Sequence, residues 1–185
     1  MRPLVRLAGG TLALAIALSI TGCATQATNQ AMVVAKPAPS VKQYPYSASV
    51  ATSGGAETSA LGSTNIDNAE LKTAIEKSIR DSKLFREVVD GKGGQYQLSV
   101  VVIQMSKPML GLDFTVALEA GWTLVRASDN KVVLRQVFKS SHTAKLGDAF
   151  VGTKRLQLAV EGAARANIEQ GLAAIAALDL PGGQS

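Results

Sequence analysis

One cysteine in 185 residues, Cys23, denies this chain any internal disulfide, so its fold has to be held by an apolar core alone. That cysteine also closes an unusual stretch. A short basic segment, Met1-Arg2-Pro3-Leu4-Val5-Arg6, leads into Leu7–Ile20, which carries no charge, and small residues follow. A positive start, an apolar run and small residues at a cut form the order of a secretory signal. The run is about 14 residues, short of the ~20 that a helix needs to cross a bilayer, so a spanning anchor is the weaker reading.

Ile20, Thr21 and Gly22, leading into Cys23, resemble the bacterial lipobox. The resemblance implies cleavage between Gly22 and Cys23, a diacylglyceryl group on the Cys23 thiol and an acyl chain, such as palmitate, on the new amine. Such two- or three-chain anchoring is effectively permanent, because each buried methylene contributes about 0.8 kcal/mol. Ala24, where an aspartate would stand in retained proteins, implies an outer-membrane lipoprotein facing the periplasm. The competing reading is an ordinary signal peptide with a free cysteine buried near its end.

Without Arg2 and Arg6 the basic count falls from 19 to 17 against 14 acids, leaving a net charge of +3 rather than +5. Lysine and arginine do not cluster among aromatics, so the electrostatic footprint of nucleic-acid binding is missing. Residues 1–22 are read as the signal and 23–41 as a flexible tether of Ala, Thr, Gln and Pro. Residues 42–180 are read as one domain, and 181–185 as a tail.

Tyr44 to Thr52 alternates as a first strand, with Pro45 suited to an edge. A helix follows: Asp67 and Glu70 have capping-box spacing, and Leu71, Ile75 and Ile79 form a stripe closed by Leu84-Phe85. Tyr96–Met105 contains Val100-Val101-Val102-Ile103, apolar on both faces, which suits a central strand. Asp113–Val125 alternates cleanly, with Trp122 on the core side. After the turn Ser128-Asp129-Asn130-Lys131 comes Val132–Ser141, with Val132, Leu134 and Phe138 inward and Arg135 and Lys139 outward. Thr153–Leu178 reads as a second helix along Leu156, Val160, Ala164, Ile168, Leu172 and Ile175. Glu161, Arg165 and Glu169 are paired on its outer side, and Pro181 stops it.

The order β-α-β-β-β-α predicts an α+β domain: a four-stranded mixed sheet with two helices packed on one face. This order, with the segments Leu84-Phe85-Arg86-Glu87-Val88 and Tyr96-Gln97-Leu98, resembles the auxiliary lipoproteins of ABC-type lipid-transport systems. It is similar, more distantly, to the first domain of TolB-type proteins. The resemblance implies a membrane-anchored accessory module in an envelope complex.

The chain carries almost no catalytic signature. His142 stands alone, without the partners a metal site or a Ser-His-Asp arrangement needs, and Asp113, Glu119, Asp129 and Asp148 are scattered. Gly147 to Lys154 imitates a phosphate loop, but its order is Thr153-Lys154 where that loop needs Lys followed by Ser or Thr. No catalytic, metal or cofactor residue is assigned, and nucleotide binding is not expected.

The remaining candidates are surface residues. The loops after the second and fourth strands meet at one end of such a sheet. They carry Pro108, Met109, Leu110 and Leu112 in one, and Leu146, Ala149 and Phe150 in the other. These residues either fold beneath the helices or form an apolar surface for an envelope partner. With the tether entering at the start of the first strand, that surface is expected to face away from the anchoring membrane. The leading expectation is a non-enzymatic binding module. The alternatives are a small envelope enzyme acting on lipid or glycan, and a lipid carrier with a cavity between sheet and helices.

Overall fold

The computed structural model describes residues 25–34, 42–58, 64–108 and 110–181. Gly22, Cys23 and Met109, named above, lie outside them. The elements run α1 (Asn29–Met32), β1 (Tyr44–Ser53), α2 (Asn68–Ser82), β2 (Phe85–Val88), β3 (Tyr96–Ser106), β4 (Phe114–Arg126), β5 (Lys131–Ala144) and α3 (Gly152–Ala176), with a 3-10 turn at Leu146–Asp148.

The α+β class holds, but the sheet has five strands rather than four, in the order β2-β1-β3-β4-β5. The additional strand, β2, has four residues and pairs parallel to the first half of β1 at the sheet edge. From sequence it reads as the close of a helix, because four residues are too few to display a period. The second half of β1 pairs parallel to β3, and β3, β4 and β5 form an antiparallel meander. Tyr44 begins β1 and ties it to the far end of α3, its hydroxyl donating to the carbonyl of Leu178 at 2.7 Å.

Both long helices cover the same sheet face. Helix α2 lies on β1 and β2, and α3 on β4 and β5. Side chains alternate along a strand, so Ala48 and Val50, Leu98 and Val100, and Val116, Leu118, Ala120, Trp122 and Leu124 all point into this core. The opposite face is open, which is why Val101 and Ile103 are 41% and 54% exposed although β3 sits centrally. Val132, expected inward, is 41% exposed, because the pairing of β4 with β5 slips between Leu124 and Val125.

Helix α2 starts where Asp67 Oδ1 accepts from the amides of Ala69 and Glu70, at 2.8 and 3.1 Å, and stops at Lys83 in the left-handed conformation. Helix α3 spends small residues to approach the sheet. Ala159, Ala163 and Ala164 are fully buried, and a Cβ on Gly171 would stand 2.6 Å from the Trp122 indole. That indole donates to Asn167 Oδ1 at 2.9 Å, so its one polar atom is satisfied in the core.

Residues 25–34 depart most from the sequence reading, which treats 23–41 as a flexible tether. They lie between α2 and α3, with Ala27, Met32, Val33 and Val34 buried. Two carboxylates fasten the segment. Glu161 Oε1 accepts from the amide and hydroxyl of Thr28 at 2.9 and 3.0 Å, and Glu70 Oε2 accepts from the amide of Asn29 at 2.7 Å. Glu161 therefore points inward rather than pairing along an outer face, and Arg165 donates to the carbonyl of Ala31 at 2.7 Å.

Candidate functional site

The loops after β3 and β5 meet as expected: the amide of Leu146 donates to Asp113 Oδ1 at 2.9 Å. Among the described residues, the large aliphatic and aromatic side chains of these loops stand exposed. Phe150 is 92% exposed, Leu110 90%, Leu112 70% and Leu146 40%, joined by Val151 at 63%; Pro108 is half-buried. Exposing this much large apolar surface at one end is unfavourable in water.

The loops are held outward from below. Arg155 on α3 is buried, and its guanidinium donates to the carbonyls of Ala149 and Phe150 at 2.7 and 2.8 Å. Its charged carbon also lies 5.2 Å from the centre of the Phe114 ring. Above these two bonded carbonyls the Phe150 ring lies in solvent. Asp148 turns back to accept from the amide of Lys145 at 2.7 Å. Gly111 has φ of 148°, a conformation that favours glycine and sharpens the loop before β4. Sequence reasoning found the apolar residues but missed Arg155, which reads as one more charge on a helix.

The same end holds the start of the N-terminal segment. Lys107 Nζ donates to the carbonyl of Thr64 at 3.0 Å and to Asn65 Oδ1 at 2.6 Å; burial lowers its pKa from the usual lysine range. Thr64 in turn donates from its hydroxyl to the carbonyl of Thr25 at 2.8 Å. Gln157, in the second turn of α3, donates to the carbonyl of Gln26 at 3.0 Å. A chain of polar contacts thus links Thr25 to the loop carrying Leu110 and to the helix start beneath Phe150. The segment enters beside the apolar loops, not at the start of β1.

The scattered acids are engaged individually. Glu119 pairs with Lys139 at 3.0 Å on the open sheet face, and Asp129 pairs with Arg126 at 2.6 Å. Asp113 and Asp148 cap backbone amides, so these four do not converge on one reacting position. His142 is half-buried, its ring lying on Gly162 of α3, where any Cβ would collide with it. No group of three metal-ligating side chains occurs among the described residues, and none of their helices is long and apolar enough to cross a membrane. In the loop that imitates a phosphate cradle, Lys154 Nζ donates to Gln157 Oε1 at 2.9 Å.

At the opposite end of the sheet, Tyr46, Gln95, Tyr96, Arg126 and Pro181 border a surface groove of about 540 Å³. Tyr46 and Tyr96 pack with ring centres 5.1 Å apart. Burial raises the pKa of Tyr96, and its neutral phenol is retained well into the alkaline range.

No protein-family model and no curated protein matches the chain. Solved structures do. Protein XCC0632 of Xanthomonas campestris, of the family-model DUF330, shares 16% identity at a TM-score of 0.59, over 79% of this chain and 90% of its own. Hypothetical protein CT253 of Chlamydia trachomatis shares 9% identity at 0.51, over 72% and 96%. The dodecamer of a leucine-to-methionine variant of PelC from Paraburkholderia phytofirmans shares 15% identity at 0.50, over 77% and 94%. At these identities the likeness is one of fold.

Proposed function

We propose that this chain is an envelope lipoprotein, anchored through Cys23 and acting as a non-enzymatic binding module. The observation that carries the reading is the junction itself: a basic start, a short uncharged run, and Ile20-Thr21-Gly22 ahead of the sole cysteine. Its address in this reading is the periplasmic side of the outer membrane, reached through Ala24. Its task is accessory, in a lipid-transport or envelope-assembly complex. The fold supports such a task, since the similar PelC assembles as a dodecamer.

The carrier alternative requires space between sheet and helices. The buried alanines of α3, and the contacts of Gly162 with His142 and Gly171 with Trp122, use that space for direct packing. The enzyme alternative gains no support from carboxylates that are spent one by one on ion pairs and backbone amides.

Labelled palmitate fed to cells should be incorporated into the parent chain and be absent from Cys23→Ser, which should also leave the outer-membrane fraction. Label that persists in Cys23→Ser overturns the anchor. Crosslinking in cells should then recover an envelope partner.

A further inference from the structure

We infer that the apolar loop end is seated in the surface of the very membrane to which the chain is anchored, with Leu110, Leu112, Phe150 and Val151 entering the lipid interface. This rests on the anchor reading above and deepens it. Thr25 is tied by its carbonyl to Thr64, beside Lys107 and the loop that follows β3, and Gln26 is tied to the first turns of α3. One residue, Ala24, separates Cys23 from Thr25, and extended chain covers at most about 7 Å over those two steps. An acyl anchor on Cys23 therefore holds a leaflet within a side chain's reach of this end.

The chemistry of the end suits that leaflet. Phe150 and Leu110 are 92% and 90% exposed, and Leu112 and Val151 are 70% and 63% exposed, on two loops joined through Asp113 and Leu146. Lys145 and Lys154 stand exposed around them, where they would meet lipid phosphates. Asp113 and Asp148, the acids of the same loops, are drawn into bonds with the amides of Leu146 and Lys145. A leaflet is the apolar medium already present there; a protein would have to enter between the domain and its own anchor. The groove bordered by Tyr46, Tyr96 and Arg126 then faces away from the membrane, reversing the orientation expected from a tether entering at β1.

The test uses the full lipidated chain in vesicles of phosphatidylethanolamine and phosphatidylglycerol, with acyl-brominated phosphatidylcholine as quencher. Trp122 is 1% exposed and gives a common background. Phe150→Trp should lose most of its added emission to brominated lipid and shift to the blue, while Lys92→Trp at the other end should lose none. Leu110→Trp repeats the first measurement if Phe150→Trp folds poorly. A tryptophan at 150 that brominated lipid spares and aqueous iodide quenches overturns the proposal. So does one spared by both, which would place a protein or a second copy over the loops. Quenching at 92 in place of 150 overturns it as well. Palmitate labelling of the same preparations reads the anchor separately: label without quenching defeats the docking alone, and quenching without label defeats the anchor alone.

Discussion

Glu161 Oε1 accepts the backbone amide of Thr28 at 2.9 Å, joining the third helix to a residue 133 positions earlier in the chain. The carboxylate is 3% exposed and also takes the Thr28 hydroxyl and the side-chain amide of Gln157. Hydrogen bonds to a charged group contribute about 1.5–3 kcal/mol, and this group holds the segment that sets where the N-terminus leaves the domain. Glu161→Ala should lower stability by roughly 2 kcal/mol. It should also open residues 25–34 to protease under conditions where the parent resists. A mutant that melts with the parent and resists cleavage would remove Glu161 from this role.

The contact of Gly171 with Trp122 predicts the opposite kind of failure, from too much volume. A Cβ at Gly171 would lie 2.6 Å from the ring, so either the helix lifts or the indole turns. Overpacking of this kind costs about 1–3 kcal/mol, even though alanine is the better helix former. Gly171→Ala should lower the melting temperature and alter Trp122 fluorescence. Gly147→Ala, with nothing within 4 Å of its Cβ position, should do neither.

Asn167 bridges strand and helix in the same layer, accepting from Trp122 Nε1 at 2.9 Å and donating to the carbonyl of Phe138 at 3.0 Å. Asn167→Leu preserves bulk but leaves a buried N–H and a carbonyl without partners, at about 1–3 kcal/mol for each group. Equilibrium unfolding in urea should show the loss; an unchanged midpoint would mean that water replaces both bonds.

The parts of this fold visible in sequence are those with a period. Val116, Leu118, Ala120, Trp122 and Leu124 alternate, and Leu71, Ile75 and Ile79 repeat on one helix face, and each set is buried as expected. Strand β2 and residues 25–34 are not visible in this way. Phe85–Val88 is too short, and 25–34 is placed by Glu70, which reads from sequence as half of a capping box, and by Glu161, which reads as a solvated helix charge. The site divides similarly. Topology alone brings Asp113 and Leu146 together, whereas the carbonyl bonds that buried Arg155 makes beneath Phe150 follow from no pattern.

Turn 127–130, near the groove, carries a pH signature. The hydrogen bond from Arg126 holds the Asp129 carboxyl at about 2, below the ordinary aspartate value of about 3.9, and the Lys131 amide assists. Because the folded value is depressed, the stabilisation is complete above the unfolded value and is lost as pH falls towards about 2. The Asp129 carboxyl carbon should titrate in that low range by NMR and move up towards the ordinary value in Arg126→Gln. Equal midpoints in the two proteins would show that the pair is open in solution.

Arg155 offers the sharpest test of how the apolar end is built. One guanidinium nitrogen, Nη1, donates to the carbonyls of both Ala149 and Phe150, and the flat cation lies over the Phe114 ring, a stacked placement that lysine cannot reproduce. In Arg155→Lys the charge remains, but the geometry holding the two carbonyls is lost, at a cost of about 1–3 kcal/mol. If these carbonyl bonds direct Phe150 outward, amide exchange in residues 149–151 should accelerate in the variant while that of β4 stays slow. A tryptophan at position 150 should then gain rotational freedom in solution, seen as a fall in its anisotropy relative to Phe150→Trp alone. Were both readouts unchanged with only the melting temperature lowered, Arg155 would be a core residue that happens to lie beneath the loop. The loop's own turn, closed by Asp148 on Lys145, would then suffice to present Phe150.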